Sequence, residues 1–154
     1  MAPLERLLQP DVIVLAAHSV ATWYMVGLIW FVQVVHYPLK TTMKEPEFTQ
    51  YQQQHMQRTG WVVGPAMLLE AGTTAWLALN PPTPNLESYT LLGIGLLGII
   101  WGATAVFLVP LHNRLLNGYD KSAIRSLCRA NWIRTLGWSA RGVIALVLLM
   151  GAQH

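Results

Sequence analysis

Residues 12–35 read Val-Ile-Val-Leu-Ala-Ala-His-Ser-Val-Ala-Thr-Trp-Tyr-Met-Val-Gly-Leu-Ile-Trp-Phe-Val-Gln-Val-Val, without one Asp, Glu, Lys or Arg. A helix rises 1.5 Å per residue, so about 20 apolar residues cross the roughly 30 Å hydrocarbon layer of a bilayer. Three more stretches meet that requirement, and the four spans read as about Val12–Val35, Trp61–Leu79, Tyr89–Leu111 and Trp132–Met150. The composition agrees: 53% of the 154 residues are hydrophobic and only 11% are charged, a balance unsuited to a water-soluble fold. The first span lacks a basic leader and a small-residue cleavage site, and is read as retained. No internal repeat is evident. The expectation is all-α: residues 1–154 form a single four-transmembrane-helix domain, an integral membrane bundle.

Basic residues set the orientation, because Lys and Arg beside short loops stay on the cytoplasmic side. Lys40, Lys44 and Arg58 lie between the first two spans, and Arg114, Lys121, Arg125 and Arg129 between the last two. The other side carries Arg6 among Glu5, Asp11 and Glu87. Both termini are therefore expected outside, in a bacterial inner (cell) membrane. The net charge of +3 is accounted for by this topology and points to membrane lipids, not to nucleic acid. Cys128, the single cysteine, lies on the reducing side. Phe48, Tyr51, His55 and Met56 share one helical face with Gln and Glu opposite, which predicts a cytoplasmic interfacial helix over Glu47–Arg58. Gly64-Pro65 invites a kink in the second span, and Asp120 reads as a helix N-cap ahead of a fourth span that extends into the cytoplasm. Asn80-Pro-Pro-Thr-Pro-Asn85 reads as a rigid outer turn.

Charges inside the bilayer are costly unless paired. Glu70 and Arg141 each lie nine residues beyond the cytoplasmic starts at Trp61 and Trp132, about 13 Å deep. Matched depth predicts that they pair in the bundle interior. Asn131, Arg134, Trp138 and Arg141 form one polar stripe along the fourth span. Gln33 and His36 of the first span, and Trp101, Thr104 and His112 of the third, are expected to face it. Gly93, Gly95, Gly98 and Gly102 are expected to let another helix approach the third span, and could also pair subunits into a homo-oligomer or a larger membrane complex.

His36, His55 and His112 all fall where an apolar span meets polar sequence at the same face. With Arg134 they are expected to ring the mouth of a cavity whose floor is the Glu70–Arg141 pair. Imidazoles from several helices suit iron, copper or zinc, and two opposed histidines suit haem, so the candidate metal ligands are His36, His55 and His112, with His36 and His112 as a haem pair. The alternative is that each is a boundary residue with an apolar body and a wet tip. His18 lies about 27 Å from His36, outside that site, and His154 is terminal. Among the deeper rings, Trp30, Trp101 and Trp138 suit either core packing or stacking on a flat ligand.

Val109-Pro-Leu-His-Asn-Arg-Leu115, followed by Asn131-Trp-Ile-Arg134 and Trp138-Ser-Ala-Arg141, resembles the anthrone-oxygenase-like family of small four-helix membrane proteins. The resemblance covers roughly residues 105–145. This chain has His112 where Asn is usual and Trp138-Ser-Ala-Arg141 where Asn-His-x-Arg is usual. The resemblance implies a polar pocket near the inner face and oxidative chemistry on a polycyclic aromatic.

Three functional classes are open at this point. One is an oxidoreductase acting on a lipophilic aromatic or quinone-like small molecule, with Arg134 and Arg141 stabilising an oxyanion, Glu70 paired beside them, and His36 or His112 as proton acceptor or metal ligand. The second is a non-catalytic haem-binding or accessory subunit. The third is a structural or transport-type protein in which Glu70–Arg141 serves stability or proton passage.

Overall fold

A computed structural model of the chain describes residues 9–43 and 45–152; Glu5, Arg6, Lys44 and His154 lie outside them. Four helices account for almost all of the described residues: α1 Pro10–Thr42, α2 Glu45–Leu79, α3 Pro84–Asn117 and α4 Lys121–Gly151. Each is long and apolar enough to cross a membrane. Local chemistry sets their ends. Pro10 and Pro84 occupy first-turn positions, where a missing N–H costs nothing. Asp120 caps α4, its Oδ1 accepting from Ser122 N and Ala123 N at 2.9 Å each. The Ala123 N–H, followed by the neighbouring Arg114, holds that carboxyl below the ordinary carboxylate range. Gly118 ends α3 with φ +133°, a conformation that a Cβ would strain.

The helices run past the spans expected from hydropathy. In particular, Glu45–Leu79 is one unbroken 35-residue α-helix, so residues 47–58 form the first turns of α2 and not a separate helix lying in the interface. Gly60 is the only weak helix former at that junction, and one glycine costs only about 1 kcal/mol. The apolar face of these turns packs inward: Phe48 is buried, and Gln52, expected on the polar side, is buried beside it. Pro65 sits inside the helix without interrupting it.

Two other prolines do alter their helices. Proline at i denies a hydrogen bond to the carbonyl at i−4 and crowds it. Pro38 and Pro110 each come just after a π-turn, Val32–His36 and Thr104–Leu108. There the chain widens to i→i+5 bonding, Tyr37 N–H to Val32 O and Val109 N–H to Thr104 O. Each turn inserts one residue into the helical phase and so re-aims the side chains at and beyond its end: His36 and Tyr37 on α1, His112 on α3.

The helices pack in a ring, α1 against α2 and α4, and α3 against α4 and α2. Large apolar side chains such as Val20, Trp61, Leu68, Val106, Leu136 and Met150 are exposed around it, as lipid contact requires. Core clusters sit at three levels, around Leu15, Leu77 and Leu148, around Met25, Ile29 and Trp138, and around Phe48, Leu115 and Leu127. The glycines that bring helices together are not those expected. Gly95, Gly98 and Gly102 of α3 face open space, and a Cβ at Gly93 would meet only ordinary contacts. Close approach belongs to α4: a Cβ at Gly137 would lie 2.7 Å from Ile100 Cγ1, and one at Gly142 3.1 Å from Val26. Helix α2 packs on α3 along Glu87–Ala103 and again at the closing turn Leu115–Asn117, while beside Thr104–Arg114 the two backbones stand apart and are bridged by side chains, Gln52 and His55 reaching His112. That leaves an opening between α2 and α3 toward their histidine-bearing ends.

Overpacking of this kind costs about 1–3 kcal/mol, so Gly137→Ala is expected to lower the thermal unfolding midpoint in detergent. Gly98→Ala should leave it unchanged or raise it slightly. Equal midpoints for the two variants would show that the α3–α4 contact is not set at Gly137.

Candidate functional site

Half-way along the bundle all four helices meet on one buried ion pair. Glu70 of α2 is fully buried; its Oε1 accepts from Arg141 Nε at 2.9 Å and from Thr22 Oγ1 at 3.1 Å, and its Oε2 from Trp138 Nε1 at 2.9 Å. Arg141 also donates to Thr74 Oγ1 at 2.8 Å and to the Gly93 carbonyl of α3. Matched depth thus does bring Glu70 and Arg141 together, as an ion pair with both side chains buried. Its remaining donors and acceptors come from α1, α2, α3 and α4, which is what a charge pair in a medium without water needs. His18 joins this level: it is buried and its Nδ1 lies 3.2 Å from Thr73 Oγ1. A water-sized hollow of about 10 Å³ lies among His18, Thr74, Thr90, Gly93 and Arg141.

Nearer the histidine ends lies a larger chamber of about 260 Å³. Its walls are apolar, with Met25, Leu28 and Ile29 of α1, Met56, Val63 and Met67 of α2, and Leu108 of α3. One end is polar, with Tyr37, His55, Thr59, Thr104, His112 and Arg134. This is the usual make-up of a small-molecule site, a concave apolar space with a few convergent polar groups, and its volume falls just below the usual size range. Gln33 does face the α4 stripe, accepting from Asn131 Nδ2 at 2.9 Å and donating to Cys128 O at 3.1 Å. Thr104 turns into the chamber, whereas Trp101 turns outward and is exposed. The π-turn between Trp101 and His112 breaks the phase that places them on one face.

The three boundary histidines converge. His36 Nε2 lies 3.0 Å from His55 Nδ1, and the His55 and His112 rings are 5.5 Å apart. His112 Nε2 lies 3.0 Å from Tyr37 Oη, and its Nδ1 lies 3.0 Å from Gln52 Nε2. Gln52 Oε1 accepts from Lys40 Nζ at 2.8 Å. Lys40 is fully buried, its ammonium 5.5 Å from the Tyr37 ring and 5.6 Å from that of Tyr51, a cation enclosed by π-faces. Arg134 stacks on Trp138 at 5.2 Å, and its buried Nε has no hydrogen-bond partner.

Two features of the expected site differ. Glu70 and Arg141 do not floor the chamber, because Trp138, one turn before Arg141, fills the space, bonding Glu70 through its indole and stacking on Arg134 with its face. His36 lines the adjoining shallow groove with His55 and Arg58 instead of the chamber. The donor set also bears on the metal and haem readings. Both ring nitrogens of His112 are engaged by Tyr37 and Gln52, and among the described residues no three His, Cys, Asp or Glu side chains are grouped so that they could hold a metal ion. The His55 ring packs against both His36 and His112, so the packing offers no haem plane between those two. Reading the sequence missed Lys40, Gln52, Tyr37 and His18. For Tyr37 and Gln52 a signal existed, since Tyr37 adjoins His36 and Gln52 precedes His55 by three residues.

Compared with models of protein families, with curated proteins and with solved structures, the chain matches none.

Removing one member of a buried pair strands the other charge, at about 3–5 kcal/mol. Glu70→Leu and Arg141→Leu are each expected to destabilise by that order, and the double variant by less than the sum. Unfolding of the purified protein by denaturing detergent measures this; additive losses would mean that the two side chains act independently.

Proposed function

We propose that the chain is a four-span integral membrane protein with its histidine-bearing ends at the cytoplasmic face, and that it binds a lipophilic aromatic or quinone-like molecule in the chamber and acts on it as an oxidoreductase. The observation that carries this reading is the chamber itself: about 260 Å³ of largely apolar space lined on its polar side by Arg134. A guanidinium facing such a space is a fixed donor, and an oxygen on the bound molecule would accept from it. As that oxygen gains negative charge on the way to an enolate or phenolate, the fixed guanidinium stabilises it more than it stabilises the neutral ground state. The imidazoles of His55 and His112 line the same chamber and are the groups placed to exchange the proton, with His36 bonded behind His55. The limited resemblance to anthrone-oxygenase-like proteins is consistent with such a substrate.

In this reading Glu70 and Arg141 hold the helices together and do not touch the substrate. That departs from a catalytic role for the pair, because Trp138 stands between them and the chamber.

The test is turnover in membranes containing the chain, supplied with anthrone or a substituted hydroquinone and monitored by absorbance together with dioxygen uptake. Oxidation above that of membranes lacking the chain is expected, falling by about a hundredfold in Arg134→Gln, the order seen when an oxyanion donor is removed. Leu108→Trp, which fills the chamber, should abolish it while leaving the protein folded. Unchanged oxidation in both variants would place the chemistry elsewhere.

A further inference from the structure

The hydrogen bonds behind the chamber run in one direction, and that direction specifies the ligand. Lys40 Nζ donates to Gln52 Oε1 at 2.8 Å. Lys40 therefore fixes the Gln52 amide with Oε1 toward itself, and the Gln52 NH2 group must then point at His112, where it meets both Nδ1 at 3.0 Å and the backbone carbonyl at 3.3 Å. A nitrogen that accepts carries no proton, so the His112 proton sits on Nε2 and is donated to Tyr37 Oη, 3.0 Å away. Arg134, a pure donor, lines the same chamber as Tyr37. The Tyr37 oxygen is thus supplied with a donor, and no acceptor among the described residues receives its own proton.

We infer that the chamber is built to hold a carbonyl oxygen, which accepts from Tyr37 O–H and the Arg134 guanidinium, with Lys40, Gln52 and His112 as the positioning residues that keep Tyr37 a donor. The inference rests on the chamber being a ligand site and adds the class of group that site reads: an aromatic ketone or quinone, in preference to a hydrocarbon of the same shape. Tyr37 and Arg134 both line the chamber, and both are at least nine-tenths buried. A ligand without an acceptor therefore leaves two donors unsatisfied away from water, which is how a site built to hydrogen-bond rejects an isostere.

Equilibrium dialysis of the detergent-solubilised full chain tests this with 2,3-dimethyl-1,4-naphthoquinone and 2,3-dimethylnaphthalene, each referred to protein-free micelles. The quinone is expected to bind about tenfold more tightly, the order that one or two hydrogen bonds supply. Tyr37→Phe should remove most of that preference. Gln52→Glu is the sharper variant: a carboxylate accepts from both Lys40 and His112 Nδ1–H, moving the histidine proton, so that Nε2 takes the Tyr37 proton and withdraws it from the ligand. Its quinone preference should fall by about as much as in Tyr37→Phe, while hydrocarbon binding, which reports an intact chamber, persists. Equal binding of the two probes to the unmodified chain, or full quinone preference in Gln52→Glu, overturns the donor-only site and leaves the chamber reading standing. Binding of neither probe overturns the chamber reading, and this inference with it.

Discussion

A carboxylate and a guanidinium held half-way along four apolar helices set the terms for the whole molecule. In hydrocarbon there is no water to compensate an unpaired charge, and apolar side chains gain little from leaving lipid for one another. Association of the helices therefore depends on packing and on polar groups that have no other partner. Glu70 and Arg141 satisfy each other and draw their remaining bonds from Thr22, Thr74, Trp138 and the Gly93 carbonyl, so each helix supplies something that the pair needs. The pair fixes depth as well as proximity: sliding any helix by a turn breaks at least one of these bonds. The small residues of α4 complete the arrangement, with Gly137 admitting Ile100 and Gly142 admitting Val26.

The chamber is a by-product of two prolines placed where hydropathy alone would run straight helices. Pro38 and Pro110 force wide turns in α1 and α3 at comparable distances from the same face. Beyond those turns, His36, Tyr37 and His112 are aimed toward the α2 segment that carries Gln52 and His55, and beside Thr104–Arg114 the α2 and α3 backbones stand apart, bridged by side chains. Polar convergence and empty space thus have one cause. Trp138 then divides the interior into two compartments, donating to the structural carboxylate on one side and carrying Arg134 on its face on the other.

Much of this architecture was legible in the chain. Four spans, the Asp120 cap, the pairing of Glu70 with Arg141 and the meeting of His36, His55 and His112 all derive from length, charge and depth, which are one-dimensional quantities. What escaped depends on helical phase or on side-chain reach. Trp101 and His112 share a face only if α3 keeps a 3.6-residue period, and the π-turn at Thr104–Leu108 breaks it. Gly95, Gly98 and Gly102 resemble a packing stripe in any list of small residues, but the phase of α3 turns them outward. Lys40 reads as a loop charge that orients the protein, yet its stem carries the ammonium back between Tyr37 and Tyr51 to Gln52. Nothing in the order of residues announces that fold-back, because it depends on where a helix twelve positions later happens to pass.

The gap left where α2 and α3 part beside Thr104–Arg114 bears on how a solute would meet this protein. Were that gap to face acyl chains in a bilayer, a solute of the kind proposed above would enter sideways, already stripped of water, without crossing an aqueous mouth. Its working concentration is then the amount dissolved per volume of lipid. Each additional CH2 raises that amount by about 0.8 kcal/mol worth of partitioning, with no new contact inside the protein. Selectivity among long-tailed compounds would therefore be decided largely by the leaflet, leaving the protein to read only the head that enters.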